Sequence, residues 1–245
     1  MIRIYALSIH GFPEAIHGMR NPYNSWDKSD SRYLFDTSDL KKLVTEEDYT
    51  IVEDDAGDMF YAVGPKDKEL MKKLVAGGPV HAKFRRMITV AMDITAPLYW
   101  WKEFDTYKVG TVANSCSTMH TITQKEFKLE DFSCEKLIDD EELGTVYADK
   151  ESYNYDTTPA WIFDDLLSVL NKCREKYIET KDKRYWWQII QLLPSSYNQT
   201  RTVLLNYEVL SNMYHSRKNH KLDEWIDFCR DIETILPMAN ELICK

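Results

Sequence analysis

The stretch that most constrains this chain is residues 192–226, LLPSSYNQTRTVLLNYEVLSNMYHSRKNHKLDEWI. Pro194 ends one segment, and Ser195 or Ser196 can cap a following helix because a hydroxyl at the N-cap satisfies unpaired backbone N–H groups. Apolar side chains then recur at helical spacing, at Val203, Leu204, Leu210, Met213 and Tyr214. The pattern predicts a helix that continues to about Ser216.

Two polar side chains lie at the ends of one face of this predicted helix. Asn206 and Arg217 are eleven positions apart with Leu210 and Met213 between them, and offsets of 4, 7 and 11 return near one angle of a helix. For any one polar residue, the simpler interpretation is a place at the edge of the core with its head in solvent. The spacing over the whole stretch favours a function for this face.

Composition places the chain among globular proteins. It has 245 residues, 44% of them hydrophobic and 13% aromatic, and no linker divides it, so we expect one domain over residues 1–245. The net charge of −9 argues against a general nucleic-acid binder. Five widely spaced cysteines without a C-x-x-C pair suit the cytoplasm. We expect neither a membrane span nor a signal peptide, because the apolar runs are too short.

Periodicity and punctuation predict the other elements. Strands are predicted over residues 2–9 and 87–94. Helices are predicted from Pro13, over residues 66–76, from Thr158, and over residues 185–193 and 223–236. The helix from Thr158 is expected to bury one face, formed by Trp161, Ile162, Leu166, Val169, Leu170, Cys173 and Tyr177. We treat the acidic residues 21–58 and 121–156 as insertions.

The spacing within residues 192–226 resembles the C-terminal signature of the flavin-dependent thymidylate synthases. In that family an Asn follows the Pro of a Leu-Pro pair, a second Asn lies further along the helix, and an Arg comes after both. The corresponding residues here are Pro194, Asn206, Asn212 and Arg217, which keep the family spacing without a gap.

Residues 97–120, PLYWWKEFDTYKVGTVANSCSTMH, resemble the flavin-binding loop of the same family in a degenerate form. Thr106 to Lys108 take the place of the family's Arg-His-Arg run, and one extra residue then restores the register. Glu103 falls where the family has a Gln that contacts the nucleotide. The residues that keep the family pattern are Lys108, Thr111, Asn114 and Ser117.

The resemblance implies an α+β fold. A twisted, mostly antiparallel sheet would contain the N-terminal strand and residues 87–94 and 107–120, with helices on its flanks. The resemblance also implies a homotetramer whose active sites lie at subunit interfaces. The implied cofactor is FAD, and the implied reaction is the reductive methylation of dUMP to dTMP with methylenetetrahydrofolate and NADPH.

The same resemblance assigns roles to individual residues. The flavin nucleotide would be held by Lys108, Thr111, Asn114, Asn206 and Asn212. The substrate would be contacted by Glu103, Ser117 and Arg217, and the catalytic residues would be Arg217 and Ser117.

Three arginines of the family pattern are replaced here, by Met119, Ile190 and Glu208. Each lost charged partner of a buried phosphate costs roughly 1.5–3 kcal/mol, and the carboxylate of Glu208 would repel a pyrophosphate. Three functions therefore stay open. The chain could catalyse the family reaction, it could use flavin on another nucleotide, or it could be a non-catalytic protein that binds a nucleotide or a protein partner.

Other chemistries lack their sequence patterns. The chain has no G-x-G-x-x-G, P-loop or G-x-S-x-G motif, which argues against Rossmann, P-loop and hydrolase functions. Cys116 and His120 form one pair of possible metal ligands, and His215 and His220 form another. Neither pair has further ligands at zinc spacing, so we expect no metal site.

Overall fold

The structure is a computed structural model. It describes residues 2–34, 43, 48–53, 60–139 and 158–245. The two predicted insertions therefore lie partly outside the described residues.

The structure combines helices with two antiparallel β-sheets, which confirms the predicted α+β fold. The strands are β1 (Arg3–His10), β2 (Arg32–Leu34), β3 (Thr50–Glu53), β4 (Phe60–Val63), β5 (Thr89–Pro97), β6 (Val112–Ser115) and β7 (Asn198–Asn206). A four-stranded sheet has the order β1-β5-β7-β6, and a three-stranded sheet has the order β2-β4-β3. Strands β1 and β5 are antiparallel, with a register shift between Ala6 and Ser8.

Within the described residues, the predicted helices form in the predicted order, together with three short helices that the sequence pattern does not predict. They are α1 (Phe12–Arg20), α2 (Pro65–Ala76), α3 (Leu98–Phe104), α4 (Thr118–Thr121), α5 (Pro159–Thr180), α6 (Lys183–Leu192), α7 (Tyr207–Arg217), α8 (Asp223–Ile235) and α9 (Ala239–Leu242). The hydroxyl of Thr158 accepts a hydrogen bond from the N–H of Trp161, so Thr158 is the N-cap of α5 as its sequence context predicts.

The helix predicted from Ser195 to Ser216 is wrong over its first half. Residues 198–206 form β7, in which buried Val203 and Leu205 alternate with exposed Leu204. Only the second half is helical. A short apolar run fits either element by spacing, and here pairing within the sheet decides in favour of the strand.

The described residues divide into two compact units that interleave along the chain. We call the first the helical unit; it comprises Ala96–Lys102 and Ser115–Thr200. Its core contains Ile122, Phe127, Phe132, Leu170 and Ile189. The predicted buried face of α5 is partly wrong, because Leu170 is buried whereas Trp161, Ile162 and Val169 are exposed. The helix turns Phe163 and Leu167 toward the core instead.

We call the second the sheet unit; it comprises Ile2–Thr95, Glu103–Asn114 and Arg201–Lys245. Its largest fully buried side chains include Phe12, Met71, Phe104, Tyr207 and Trp225. The prediction that residues 1–245 form a single domain stays a prediction.

A buried ion pair joins α1 to α2 within the sheet unit. Arg20 donates from Nε to Asp67 at 2.7 Å, and the hydroxyls of Ser29 and Ser31 donate to the same carboxylate at 2.6 and 2.7 Å. Asp67 is fully buried, so these donors replace the water that its charge would otherwise keep. Asp67 thereby fixes the segment between α1 and β2.

None of the helices in the described part of the chain is long and apolar enough to cross a membrane. Within the same residues, no group of three His, Cys, Asp or Glu side chains is placed to hold a metal ion.

Candidate functional site

Arg217, the last residue of α7, is held by one side chain near the end of α3 and by another just after that helix. Its Nη1 donates to Oε2 of Glu103 at 2.7 Å, and its Nε donates to the hydroxyl of Tyr107 at 3.0 Å. Two N–H groups of one guanidinium are therefore directed to two different acceptors. This fixes the plane of the guanidinium as well as its position.

Two aromatic rings flank the same guanidinium. Its central carbon lies 5.0 Å from the centre of the Trp225 ring and 5.6 Å from the centre of the Tyr107 ring. Cations within about 6 Å of a ring centre are attracted by roughly 0.5–2 kcal/mol. Trp225 is fully buried in α8, so it provides a rigid wall for the arginine.

Glu103 collects three donors. Besides Arg217, its Oε2 lies 3.2 Å from Nε1 of Trp225 and 3.3 Å from Nε2 of His220. The side chain of Glu103 is 33% exposed and that of Arg217 is 19% exposed, so the ion pair sits at the surface of the unit and a ligand can reach it. We call Glu103, Tyr107, Arg217, His220 and Trp225 the Arg217 cluster.

The cluster contains two of the predicted site residues and three that sequence analysis missed. Glu103 and Arg217 were both predicted to face the substrate, and they contact each other directly. Tyr107 stands in the predicted flavin loop in place of a family histidine, and Trp225 lies in the helix predicted over residues 223–236. Tyr107 and Arg217 are 110 positions apart in the sequence, and a local sequence pattern cannot predict a contact over that separation.

Asn206 has a different place from the one predicted. It precedes α7 as its N-cap, and its side-chain oxygen accepts a hydrogen bond from the N–H of Val209 at 3.0 Å. The loop with Gly110 passes close by: a Cβ added to Gly110 would lie 2.9 Å from Nδ2 of Asn206. Gly110 also has a φ of 77°, which favours glycine. The predicted flavin loop therefore lies against the N-terminus of α7.

The remaining predicted flavin-binding residues fall into two groups. The hydroxyl of Thr111 donates to the carbonyl oxygen of Tyr107 and so stabilises the loop itself. The side chains of Lys108, Asn114 and Asn212 are exposed and can take up external partners.

Ser117 belongs to the helical unit. It is the exposed residue just before the short helix α4, and its carbonyl oxygen accepts hydrogen bonds from the N–H groups of His120 and Thr121.

Other arginines of the sheet unit near α7 are also engaged. Arg86 forms an ion pair with Glu208, and Arg201 donates to Asp105 at 2.7 Å. Arg85 is buried and donates to the hydroxyl of Ser211 and to a backbone carbonyl. The expectation that Glu208 would repel a pyrophosphate therefore changes, because the guanidinium of Arg86 offsets its charge.

The exposed side chains predicted to hold the flavin suit some parts of a flavin nucleotide better than others. Its pyrophosphate is held best by bidentate arginines, whereas its sugars and bases need polar donors and acceptors. Lys108 supplies an exposed ammonium, and Asn114 and Asn212 supply exposed amides. Exposed amides can form hydrogen bonds with the sugars and bases of a nucleotide, and the Lys108 ammonium offers its phosphates a single charge without the paired N–H donors of an arginine.

The arrangement of the strands and helices is that of the flavin-dependent thymidylate synthases. Thymidylate synthase X from Helicobacter pylori, solved with FAD and dUMP, superposes with a TM-score of 0.62 at 16% identity and covers 100% of this chain and 98% of its own. A second structure of the flavin-dependent thymidylate synthase from Helicobacter pylori, complexed with FAD and dUMP, gives a TM-score of 0.61 at 16% identity. It covers 99% of this chain and 98% of its own.

A third structural relative is a UMP/dUMP methylase, PolB, from Streptomyces cacaoi, bound with 5-Br UMP. Its TM-score is 0.56 at 10% identity, with 96% of this chain and 88% of that chain covered. No family model and no curated protein matches the sequence. At these identities the likeness concerns the fold, which extends over the whole length of the chain.

Proposed function

We propose that this protein binds FAD and a pyrimidine nucleotide, and that its reaction is the reductive methylation of dUMP to dTMP. The observation that carries the proposal is the Arg217 cluster: a guanidinium fixed by Glu103 and Tyr107 at the surface of a thymidylate synthase-like scaffold. A fixed, partly exposed guanidinium is suited to a pyrimidine carbonyl, because the N–H groups that it does not direct to Glu103 and Tyr107 can donate charge-assisted hydrogen bonds to that oxygen.

In this proposal each exposed polar residue has a defined role. Lys108, Asn114 and Asn212 contact the flavin nucleotide, while Thr111 and Asn206 shape the loop and the helix end that support it. Arg217 binds the pyrimidine and Glu103 orients Arg217. A contact of Ser117 with the substrate stays a prediction of the family resemblance. When bound, the flavin supplies the reducing hydride, with methylenetetrahydrofolate as carbon donor and NADPH as reductant.

The proposal extends to the whole protein. We propose a single cytoplasmic domain that assembles as a homotetramer. All five cysteines are free thiols, which supports a reducing compartment.

A second function is favoured by the pairing of the arginines. Arg217, Arg86 and Arg201 each already have a carboxylate partner, so a phosphate must compete with Glu103, Glu208 or Asp105. That competition weakens the binding of a substrate with two negative charges. The second candidate is therefore a non-catalytic protein that uses the same scaffold to bind a nucleotide or a protein partner.

The first experiment is a visible absorption spectrum of the purified protein, followed by calorimetric titration with FAD and dUMP. We expect a yellow protein or micromolar affinity for FAD. Arg217→Ala should weaken dUMP binding at least tenfold, because it removes a charge-assisted hydrogen-bond donor. Arg230→Ala is the matched control, because Arg230 forms an exposed ion pair on α8 with Asp227.

Catalysis is measured separately by release of tritium from dUMP labelled at the pyrimidine ring, with FAD, NADPH and methylenetetrahydrofolate present. Release that is lost in Arg217→Ala and kept in Arg230→Ala supports the synthase. Binding of FAD or dUMP without release supports the non-catalytic function. A colourless protein that ignores both ligands at high micromolar concentration contradicts both nucleotide functions.

A further inference from the structure

A small cavity opens in the sheet unit at the end of β1 and the start of α1, and none of the residues that line it belongs to the Arg217 cluster. Its volume is about 120 Å³, and it is lined by residues of β1, α1 and the three-stranded sheet. An apolar cavity of about 150 Å³ takes up a molecule the size of benzene. Drug-sized ligands need roughly 300 Å³ or more, so this cavity fits a small chemical group.

Three aromatic rings line the cavity. They belong to Phe12, Tyr33 and Tyr61. The rings of Tyr33 and Tyr61 meet edge to face, with centres 4.9 Å apart and planes inclined by 66°, so they form a corner. Phe12 is fully buried, and its ring packs edge-on against Tyr207, which fixes it at the inner side of the cavity. The aromatic lining is therefore rigid on one side and accessible at Tyr33, which is 40% exposed.

The backbone at Gly11 keeps this corner in shape. Gly11 has a φ of 93°, and a Cβ at this position would lie 1.9 Å from the carbonyl oxygen of Met87. The chain therefore turns sharply from β1 into α1, and the turn places Phe12 and Glu14 at the cavity. No side chain with a Cβ fits at residue 11 without moving the backbone.

The charge that lines the cavity is negative. Glu14 lies in the first turn of α1 and contributes the carboxylate, and His10 contributes an imidazole. The nearby Asp67 has its charge offset by Arg20. Burial, together with the neighbouring carboxylates of Asp67 and Glu14, raises the pKa of Tyr61 to about 12. The hydroxyl of Tyr61 therefore stays neutral, and both tyrosines present electron-rich faces.

We infer that this cavity binds a quaternary ammonium group, with the rings of Phe12, Tyr33 and Tyr61 around the cation and Glu14 as its counter-charge. Aromatic rings attract cations through the negative faces of their π-systems, and the attraction is strongest where water is excluded. A quaternary ammonium is bulky and has no N–H group to donate, so aromatic rings bind it better than carbonyl oxygens do. The inference is independent of the proposed flavin and nucleotide function.

Two other ligand types fit the lining less well. An anion would meet the carboxylate of Glu14, and the partial positive charge of the α1 N-terminus is only about half an elementary charge. A purely apolar group would make no favourable interaction with the polar side chains of Glu14 and His10. A cation uses both the rings and the carboxylate.

The test compares choline with 3,3-dimethylbutan-1-ol, its uncharged isostere of the same shape. Ligand-observed NMR saturation transfer and calorimetry on the full chain give both affinities. We expect choline to bind at least ten times more tightly than the alcohol. Equal binding of the two compounds, or no binding of choline at 10 mM (roughly the weakest affinity of interest for a single small group), overturns the inference.

Matched variants locate the binding. Glu14→Gln and Tyr33→Leu should each weaken choline binding about tenfold, because they remove the counter-charge and one ring; both residues are exposed, so the variants should fold. Glu69→Gln and Tyr23→Leu are the controls, since these exposed residues lie in the same unit away from the cavity. A loss of binding in the controls as large as in the test variants also overturns the inference.

The quaternary ammonium group can belong to a small molecule or to a trimethylated lysine of a protein. A short peptide with one trimethyllysine, and the same peptide unmethylated, distinguish these sources. Choline binding that the methylated peptide does not match supports a small-molecule ligand. Tighter binding of the methylated peptide, with displacement of choline, supports a protein ligand.

Discussion

Asp67 shows how much one buried carboxylate can determine. It is fully buried, and its donors come from α1 and from the segment before β2. Burial alone would raise the pKa of Asp67, but the hydrogen bonds from Ser29, Ser31 and Arg20 outweigh burial, and the pKa is lowered. The carboxylate therefore stabilises the fold in its charged form.

The direction of the shift sets a pH dependence. Because the folded-state pKa lies below the ordinary value of 3.8, the stabilisation is complete above that value and is lost as the pH falls through the folded-state pKa. We expect Asp67→Asn to lower the free energy of unfolding at pH 7 by about 3–5 kcal/mol, since it leaves Arg20 buried without a counter-charge. Urea unfolding followed by circular dichroism measures this change.

The control is Asp27→Asn, because Asp27 is exposed in the same unit. It should change stability by less than about 0.5 kcal/mol. The difference between the native chain and Asp67→Asn should shrink below pH 3.8. A difference that stays constant from pH 7 to pH 3 would contradict a stabilising charge on Asp67.

At the scale of a secondary-structure element, the two asparagines at helix α7 allow a test of the roles that the family resemblance assigns to them. The family resemblance treats Asn206 and Asn212 alike, whereas the structure makes Asn206 the N-cap and Asn212 an exposed residue within the helix. Asn206→Ala should cost about 0.5–2 kcal/mol of stability. Asn212→Ala should be neutral or slightly stabilising, because Ala is the better helix former.

Chemical unfolding of both variants measures these effects, and Asn206→Asp should keep most of the stability because Asp also caps helices. FAD titration of the same variants separates the two roles. Loss of FAD affinity in Asn206→Ala without any loss of stability would show that the amide serves the ligand and not the helix end.

Sequence analysis predicted most elements but not every pairing. Strands β1 and β5 and helices α2, α5, α6 and α8 have local sequence patterns and Pro or Gly at their ends, and all form close to the predicted positions. Strand β7 was missed because Val203 to Leu205 is too short an apolar run for its period to be distinguished. Thr200, Thr202 and Val203 are β-branched, and this was the signal for a strand.

The Arg217 cluster could be predicted only in part for a similar reason. The resemblance named Glu103 and Arg217 but could not show that they form an ion pair, because a pairing across 114 residues depends on how helices pack. The buried pair of Arg20 and Asp67 was equally invisible, since both residues lie in predicted helices where charged side chains usually face solvent.

At the scale of the whole molecule, one face of the four-stranded sheet bears on assembly. Strand β1 is at the edge of that sheet, and on it Tyr5 is 69% exposed and Leu7 is 46% exposed. Aromatic and apolar side chains that are exposed in one chain are enriched in subunit interfaces. For the homotetramer that we propose, light scattering coupled to size-exclusion chromatography should give about four times the mass of the chain.

A charge placed on this face tests the assembly. Tyr5→Asp should lower the measured mass, because burying an unpaired carboxylate against another subunit costs several kcal/mol. Tyr23→Asp is the control, since Tyr23 is 82% exposed and lies outside the sheet. A native chain that elutes with the mass of one subunit at micromolar concentration would contradict the tetramer. An unchanged mass in Tyr5→Asp would place the subunit contacts on a different surface of the molecule.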